Sequence, residues 1–431
     1  MLALDTKRQH PACMAATPVI LELLKPNPEC DWLGHLDGEI GMPSPHPSHL
    51  LTSSEAAARL GVSLETLYSY VSRRLVTPVA PPANSRKSLF EVADVERLAE
   101  QVRRRSRRAV AASTLDCGEP VLNSAITRID EGRVHYRGRD AVGLADSATL
   151  EDVAALLWQC PPVSQKGEWS DQAWSGSDGT GPHGWCIAAA ARLAHVCPWP
   201  SPPETVRLEA TRLLRGIALA AVQAAAPVDA PSGPIHAWMA QTWGLDEAGA
   251  DLLRRALVLC ADHELNPSTY AARVVASTRA PLGACVLAGL CALAGPRHGG
   301  ATDRVRLLLG DSDFMSDPSR AIAAYSARGE KVPGFGQRLY PLGDPRAAAL
   351  LARLDVPSQV LGLIQAMEDA TGKRPNIDFA LATLEWRLKL PQGAGFRLFA
   401  IGRVVGWIAH VLEQWVCDQS IRPRAVYTGE R

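Results

Sequence analysis

Pro333–Ala347 reads PGFGQRLYPLGDPRA, a loop dense in Gly and Pro that leads into a helix expected over Pro345–Leu354. Three other segments share its texture. ADHELNPSTYAARVVAST surrounds His263, GPRHGGA surrounds His298, and RPNIDFA surrounds Asp378. His263, His298, Asp378, Arg346, Arg403 and Arg422 all lie in or beside stretches rich in Gly, Pro, Asp or Asn, the helix-end context in which reactive side chains commonly sit. Such a set suits a substrate with several carboxylates: arginines as bidentate clamps, histidines as donors and one carboxylate as base. Taken singly, each has a plainer reading. A helix-end histidine is more often structural, a lone Asp more often an N-cap, and an arginine more often a solvated charge.

The composition narrows the classes. Lys plus Arg and Asp plus Glu both number 45, so net charge supplies no bulk attraction to nucleic acid or anionic membrane, and any basic surface is local. Ten cysteines lie scattered with no CxxC pair, which fits reduced thiols in a cytoplasmic protein better than disulfides or zinc; no metal site is expected. The apolar run Pro281–Pro296 is too short for a bilayer and is broken by Gly283 and Gly289, so a buried helix is expected and no membrane partner. No P-loop and no GxGxxG after a strand is present, which leaves nucleotide hydrolysis and nicotinamide chemistry without support.

Along the chain, residues 1–50 mix Pro, Gly and polar residues and are expected to form an irregular or disordered leader. Thr52 with Glu55 predicts a capping box, Gly61 and Val62 a turn, and Ser63 the start of a second short helix reaching about Ser72. A further helix is expected over Glu91–Arg108, ending in the basic run QVRRRSRR. In AITRIDEGRVHYRGRDA, Asp130, Glu131 and Gly132 predict a hairpin turn. Ser147 and Thr149 are N-cap candidates ahead of an apolar stripe of Val153, Leu156 and Leu157, and Pro161–Gly184 is expected to be a surface loop. Helical spacing then dominates: Glu204–Ala226, Leu245–His263, Thr269–Ala280, Leu282–Ala294, Gln359–Thr371 and Phe396–Trp415. The fold expected is mainly α.

On the four quoted segments, which lie along the chain in the family's order, the chain from about Cys117 to the C-terminus resembles the citrate synthase family. The resemblance implies large and small helical domains over 111–431, the small one roughly 300–390. It also implies a homodimer that condenses acetyl-CoA with oxaloacetate to citrate and CoA, the tricarboxylic acid cycle reaction, with acetyl-CoA as substrate and no bound cofactor. By that likeness Asp378 is the base that removes a methyl proton, and His298 donates to the thioester oxygen as it gains enolate charge. His263, Arg346, Arg403 and Arg422 hold oxaloacetate, Arg422 in the other subunit's site. Lys331 and Arg338 face CoA. Gln337 stands where family members usually carry the histidine that polarises the ketone, and Cys260 where many bacterial members have another histidine. Glutamine can donate a hydrogen bond but cannot deliver a proton at neutral pH, so the resemblance leaves turnover weakened or altered.

LTSSEAAARLGVSLETLYSYVSRRLV, with the basic ANSRKSLF after it, resembles the winged helix-turn-helix of the MerR and excisionase type over roughly 51–110. That implies DNA contacts by Thr66, Tyr68, Ser69 and Arg73 in a groove and by Arg86 and Lys87 on phosphates. Three readings stand open: an acyltransferase, with 2-methylcitrate synthase as its variant; a DNA-binding regulator whose second domain senses a CoA ester or dicarboxylate; and a module that docks on protein.

Overall fold

The computed structural model describes residues 50–60, 62–72, 75–79, 88–98, 122–163, 181–194, 201–222, 232–417 and 419–422. They fall into two compact units, one drawn from Asp31–Val121 and the other from Leu122–Arg431. The expected leader, Gly61, Arg73, Arg86, Lys87, the arginine run 103–108 and most of the expected surface loop lie outside the described residues.

In the first unit β1 (Leu50–Thr52) pairs antiparallel with β2 (Leu89–Glu91), setting Leu51 opposite Phe90. Between them lie α1 (Ser53–Leu60) and α2 (Leu64–Ser72), and residues 92–98 form α3. The expected capping box is reciprocal: Thr52 N donates to Glu55 Oε2 at 2.8 Å, and Glu55 N donates to Thr52 Oγ1 at 3.4 Å. Ser63 Oγ accepts from Thr66 N at the start of α2. Ala56, Leu60, Leu67, Val76, Phe90 and Val95 close a small core.

The second unit opens with a meander of β3 (Thr127–Asp130), β4 (Arg133–Tyr136) and β5 (Arg139–Asp140). Both of its turns place two residues at positive φ: Glu131 and Gly132 at 49° and 73°, Arg137 and Gly138 at 45° and 85°. That is the twist a two-residue hairpin needs, and glycine at the second position adopts it without strain. Helices follow: α4 (Ala141–Ser147), α5 (Leu150–Trp158), α6 (Gly181–Leu193), α7 (Pro203–Val222), α8 (Ile235–Thr242), α9 (Glu247–Leu259), α10 (Pro267–Ala276), α11 (Leu282–Leu293), α12 (Ala301–Gly310), α13 (Ser312–Ser316), α14 (Pro318–Ala327), α15 (Pro345–Leu351), α16 (Ser358–Thr371), α17 (Ile377–Arg387) and α18 (Ala394–Cys417). Thr149 caps α5 in a box with Asp152, whereas Ser147 closes α4 and caps nothing. The last four residues of the expected surface loop begin α6.

Several helix ends differ from the sequence expectation, each for a local reason. The helix expected over Leu245–His263 stops at Leu259. There the Tyr136 hydroxyl sits 3.1–3.3 Å from the carbonyls of Val258, Leu259 and Asp262 and accepts from Asp262 N, so the chain turns instead of continuing. The next helix starts two residues early, at Pro267, because Asn266 Oδ1 accepts from Ser268 N and Thr269 N. The helix from Pro345 ends at Leu351, not Leu354. Three helices that short apolar patterns concealed, α13, α14 and α17, begin at the side-chain caps Asp311, Asp317 and Asn376.

The larger core surrounds α18, whose 24 residues form the one helix among those described that is long and apolar enough to cross a membrane; its apolar window is entirely buried. A second core, with Val305, Phe314, Phe335, Leu363 and Phe379, lies among α12, α13, α16 and α17. Helix α18 runs hard against the turn after α9. A Cβ at Gly406 would lie 2.3 Å from Asp262 Oδ1 and 2.4 Å from Ala261 O, and one at Gly402 would lie 2.7 Å from Leu257 O. Gly406→Ala is therefore expected to cost about 1–3 kcal/mol in urea unfolding, the usual penalty of overpacking. Gly362 has nothing within 4 Å of an added Cβ in mid-helix, and its replacement by Ala is expected to stabilise by about 0.5–1 kcal/mol. Equal effects at the two positions would contradict the close approach.

Candidate active site

The site assembles from four helix ends. Asp344 caps α15, its carboxylate accepting from Arg346 N, and it also accepts from Ile377 N at the start of α17. The same carboxylate grips the buried Arg346 guanidinium in two parallel bonds, Nε to Oδ1 at 3.0 Å and Nη2 to Oδ2 at 2.8 Å. Burial works against the charge on Arg346, yet Asp344 holds it more firmly protonated than a free arginine. Its Nη1 remains buried without a hydrogen-bond partner.

Arg403, on α18, donates from Nε to the carbonyl of Cys260 at 3.0 Å, and its guanidinium lies 5.0 Å from the Phe399 ring centre. Both Nη1 and Nη2 are buried and unpartnered. Three guanidinium nitrogens are thus buried with no acceptor on the protein, donors that an anion beside them would engage.

Asp378 sits in the first turn of α17, beyond α15 and α16 in sequence from the loop that carries Gln337. Asn376 holds the two together: its N donates to Gly334 O at 2.9 Å, its Nδ2 to Gly336 O at 3.3 Å, and its Oδ1 caps Asp378 N. The Asp378 carboxyl is pushed up to about 6 by burial, against the lowering effect of the Thr302 hydroxyl, which donates to Oδ1 at 3.0 Å, and of Arg346. A carboxylate so placed is a competent base near neutral pH.

Burial, and then the nearby charge of Arg403, push His298 down to about 3, so the ring is neutral. Its Nε2 lies 2.9 Å from Ser268 Oγ and 3.2 Å from Asn266 Oδ1, while Trp407 Nε1 donates to the same Ser268 oxygen. The single Ser268 proton therefore chooses between Asn266 Oδ1, 2.6 Å away, and His298 Nε2, and the choice fixes the imidazole tautomer. His263 is also held well below the ordinary imidazole value by burial and by Arg346 and Arg403, with Nε2 2.8 Å from the Tyr340 hydroxyl. Burial pushes the neighbouring Cys260 thiol up to about 12, so it stays protonated.

The structure thus brings together His263, His298, Asp378, Arg346 and Arg403, with Gln337 half-buried on the loop beside them. Lys331 and Arg338 are exposed on that loop. Arg422 is exposed on a C-terminal segment fixed by Ile421 N to Ser277 Oγ, and no described hydrogen bond or ion pair ties it to the site of its own chain. In the first unit Thr66 is half-buried and its hydroxyl is paired with Ser63. Sequence reading missed Thr302, Asp344, Ser268, Asn266 and Tyr340. Only Asp344 and Asn266 carried a signal, as cap residues directly before a proline.

The Asp378 shift has a stability consequence. Because its folded value lies above the ordinary 3.8, the ionised form opposes folding: the cost is absent below about pH 4, grows through pH 4–6 and is complete above that. Asp378→Asn is expected to gain stability relative to the parent, by up to about 3 kcal/mol, between pH 4 and pH 8 in urea titrations. A gap that does not change with pH would show a solvated carboxylate.

The sequence model for "Citrate synthase, C-terminal domain" matches residues 188–424. Citrate synthase of Haloferax volcanii is 39% identical over 197 residues, covering 43% of this chain and 52% of that protein. 2-Methylcitrate synthase 1 of Corynebacterium glutamicum is 33% identical over 185 residues, covering 41% and 49%. The chain spans about half the length of the curated relatives it matches. Among solved structures, citrate synthase from Thermotoga maritima superposes with a TM-score of 0.59 at 26% identity, covering 73% of this chain and 94% of that one. The Thermoplasma acidophilum enzyme, solved with carboxymethyl coenzyme A and oxaloacetate, gives 0.63 at 24% identity over 74% and 96%, a likeness of fold. With the family match covering more than half of its residues, the chain belongs to the citrate synthase family.

Proposed function

We propose that this chain condenses acetyl-CoA with oxaloacetate to give citrate and CoA, as a cytoplasmic homodimer. The observation that carries the reading is the pairing of three unpartnered guanidinium nitrogens on Arg346 and Arg403 with a base, Asp378, poised at about 6. A dicarboxylate satisfies the former and a weakly acidic methyl group engages the latter. Asp378 takes a proton from the acetyl methyl. His298 donates to the thioester oxygen as it becomes an enolate oxygen, which requires the Ser268 proton to face Nε2 so that the other ring nitrogen carries the hydrogen. The enolate carbon attacks the ketone carbon of oxaloacetate, held by His263, Arg346, Arg403 and the partner subunit's copy of Arg422. Water then cleaves the thioester and releases CoA. Gln337 donates an amide N–H to the developing alkoxide, and water supplies the proton that completes the hydroxyl. Lys331 and Arg338, exposed beside this loop, meet the CoA phosphates. The six described cysteines are all free thiols, as a reducing compartment allows.

The family likeness to a 2-methylcitrate synthase keeps propionyl-CoA as an alternative acyl donor, since one methylene alters discrimination by only about 1–3 kcal/mol. For the first unit, the β1–β2 pairing around two short helices and the 52% exposure of Tyr68 on α2 favour a helix-turn-helix that reads DNA, which would make the chain a regulated or regulatory relative.

The test is CoA release from purified protein with acetyl-CoA or propionyl-CoA and oxaloacetate. Asp378→Ala is expected to abolish it, and no difference from the parent would sink the enzyme reading. Gln337→His is expected to raise turnover at least about tenfold, part of the 10²–10³ that a well-placed donor supplies. DNA binding, if present, is expected to fall steeply with salt and on replacement of Arg73 or Arg86.

A further inference from the structure

Behind the site lies a chain of buried polar groups that none of the steps above uses. Arg273, on α10, is 1% exposed and spends its donors on three residues of α18. Nε donates to Gln414 Oε1 at 3.0 Å, while Nη1 donates to His410 Nδ1 at 3.1 Å and to Glu413 Oε2 at 2.5 Å. Guanidinium has no acceptor, so His410 Nδ1 must accept and the imidazole proton sits on Nε2. That N–H faces Asp262 Oδ2 at 3.3 Å.

Asp262 and Gln414 then act at two different places. The same Asp262 oxygen accepts from Glu264 N at 3.2 Å, which pins the left-handed backbone of Glu264, at φ 50°, immediately after His263. A non-glycine residue in that region is strained and holds only where its surroundings impose it. Gln414, for its part, donates from Nε2 to Gln419 O at 2.8 Å, at the root of the segment that ends in Arg422.

We infer that Arg273 is a positioning residue with two branches: through His410 and Asp262 it fixes the turn that presents His263, and through Gln414 it fixes the segment that carries Arg422. Both targets are substrate-facing in the reaction proposed above, so the kinetic part of the test rests on that reading; the exchange measurements do not.

The branches make the inference testable against a merely structural role. In hydrogen–deuterium exchange on the full chain, His410→Leu is expected to speed exchange at 263–266 about tenfold, the factor for losing one net buried hydrogen bond, and to leave 419–422 as in the parent. Gln414→Leu is expected to do the reverse. Arg273→Met loosens both segments; if that variant does not fold, the two single-branch variants still decide. His410→Leu is further expected to raise the KM for oxaloacetate about tenfold while the KM for acetyl-CoA stays unchanged. Equal loosening of both segments by either single-branch variant, or no loosening by either, overturns the inference. A parent without turnover removes the proposed reaction and leaves the exchange result to stand alone.

Discussion

The site depends on how closely α18 runs past the turn between α9 and α10. Side chains at 402 and 406 would collide with Leu257 O, Ala261 O and Asp262, so only glycine lets the helix approach. That approach delivers Arg403 to the Cys260 carbonyl and His410 to the Asp262 carboxylate, two hydrogen bonds that bind the turn to the helix from both ends of one short contact. Tyr136, from the opening meander, closes the third side by gathering the carbonyls at the end of α9. The turn that carries His263 is therefore held by two elements distant in sequence, α18 and the opening meander. Burial keeps His263 a neutral donor or acceptor, with no titrating charge of its own.

Within that frame the charges are arranged so that they do not cancel one another. Asp344 occupies one edge of Arg346 completely, which leaves the guanidinium a single free nitrogen and keeps it from pairing with Asp378. Were Asp378 to form that pair, its carboxyl would fall far below the ordinary range and lose its value as a base. Instead burial dominates and holds it near 6, while Arg403 keeps two nitrogens unpaired nearby. Phe399 meets both groups, with the Arg403 guanidinium over its ring at 5.0 Å and the His298 imidazole edge-on at 6.0 Å.

How much of this the sequence discloses depends on whether the cause is local. The Glu131–Gly132 turn and the Thr149 capping box are short-range, and both are readable directly. The end of α9 is not: Cys260 and Ala261 continue the apolar pattern, and only Tyr136, more than a hundred residues earlier, stops the helix. The same division holds in the site. His263, His298, Asp378, Arg346 and Arg403 are legible because motif residues surround them. Thr302 and Ser268, which hydrogen-bond Asp378 and His298, look like ordinary small core residues until the helices are assembled. The arginines expected to face DNA fall outside the described residues, so the first unit is legible as a small core and no further.

Gln337 acquires its meaning from this electrostatic setting. Two guanidinium groups already supply positive potential to the carbonyl side, so a neutral amide can stabilise an alkoxide by hydrogen bonding without adding a third charge to a buried pocket. What it cannot do is return a proton. In the proposed reaction, binding of a dicarboxylate draws on Arg346 and Arg403 while turnover also draws on proton delivery, so Gln337 bears on the second far more than on the first. The three buried guanidinium nitrogens that have no acceptor on the protein are the donors an incoming anion would engage. In the proposed reaction residue 337 then governs the alkoxide step alone, while binding rests on the two arginines.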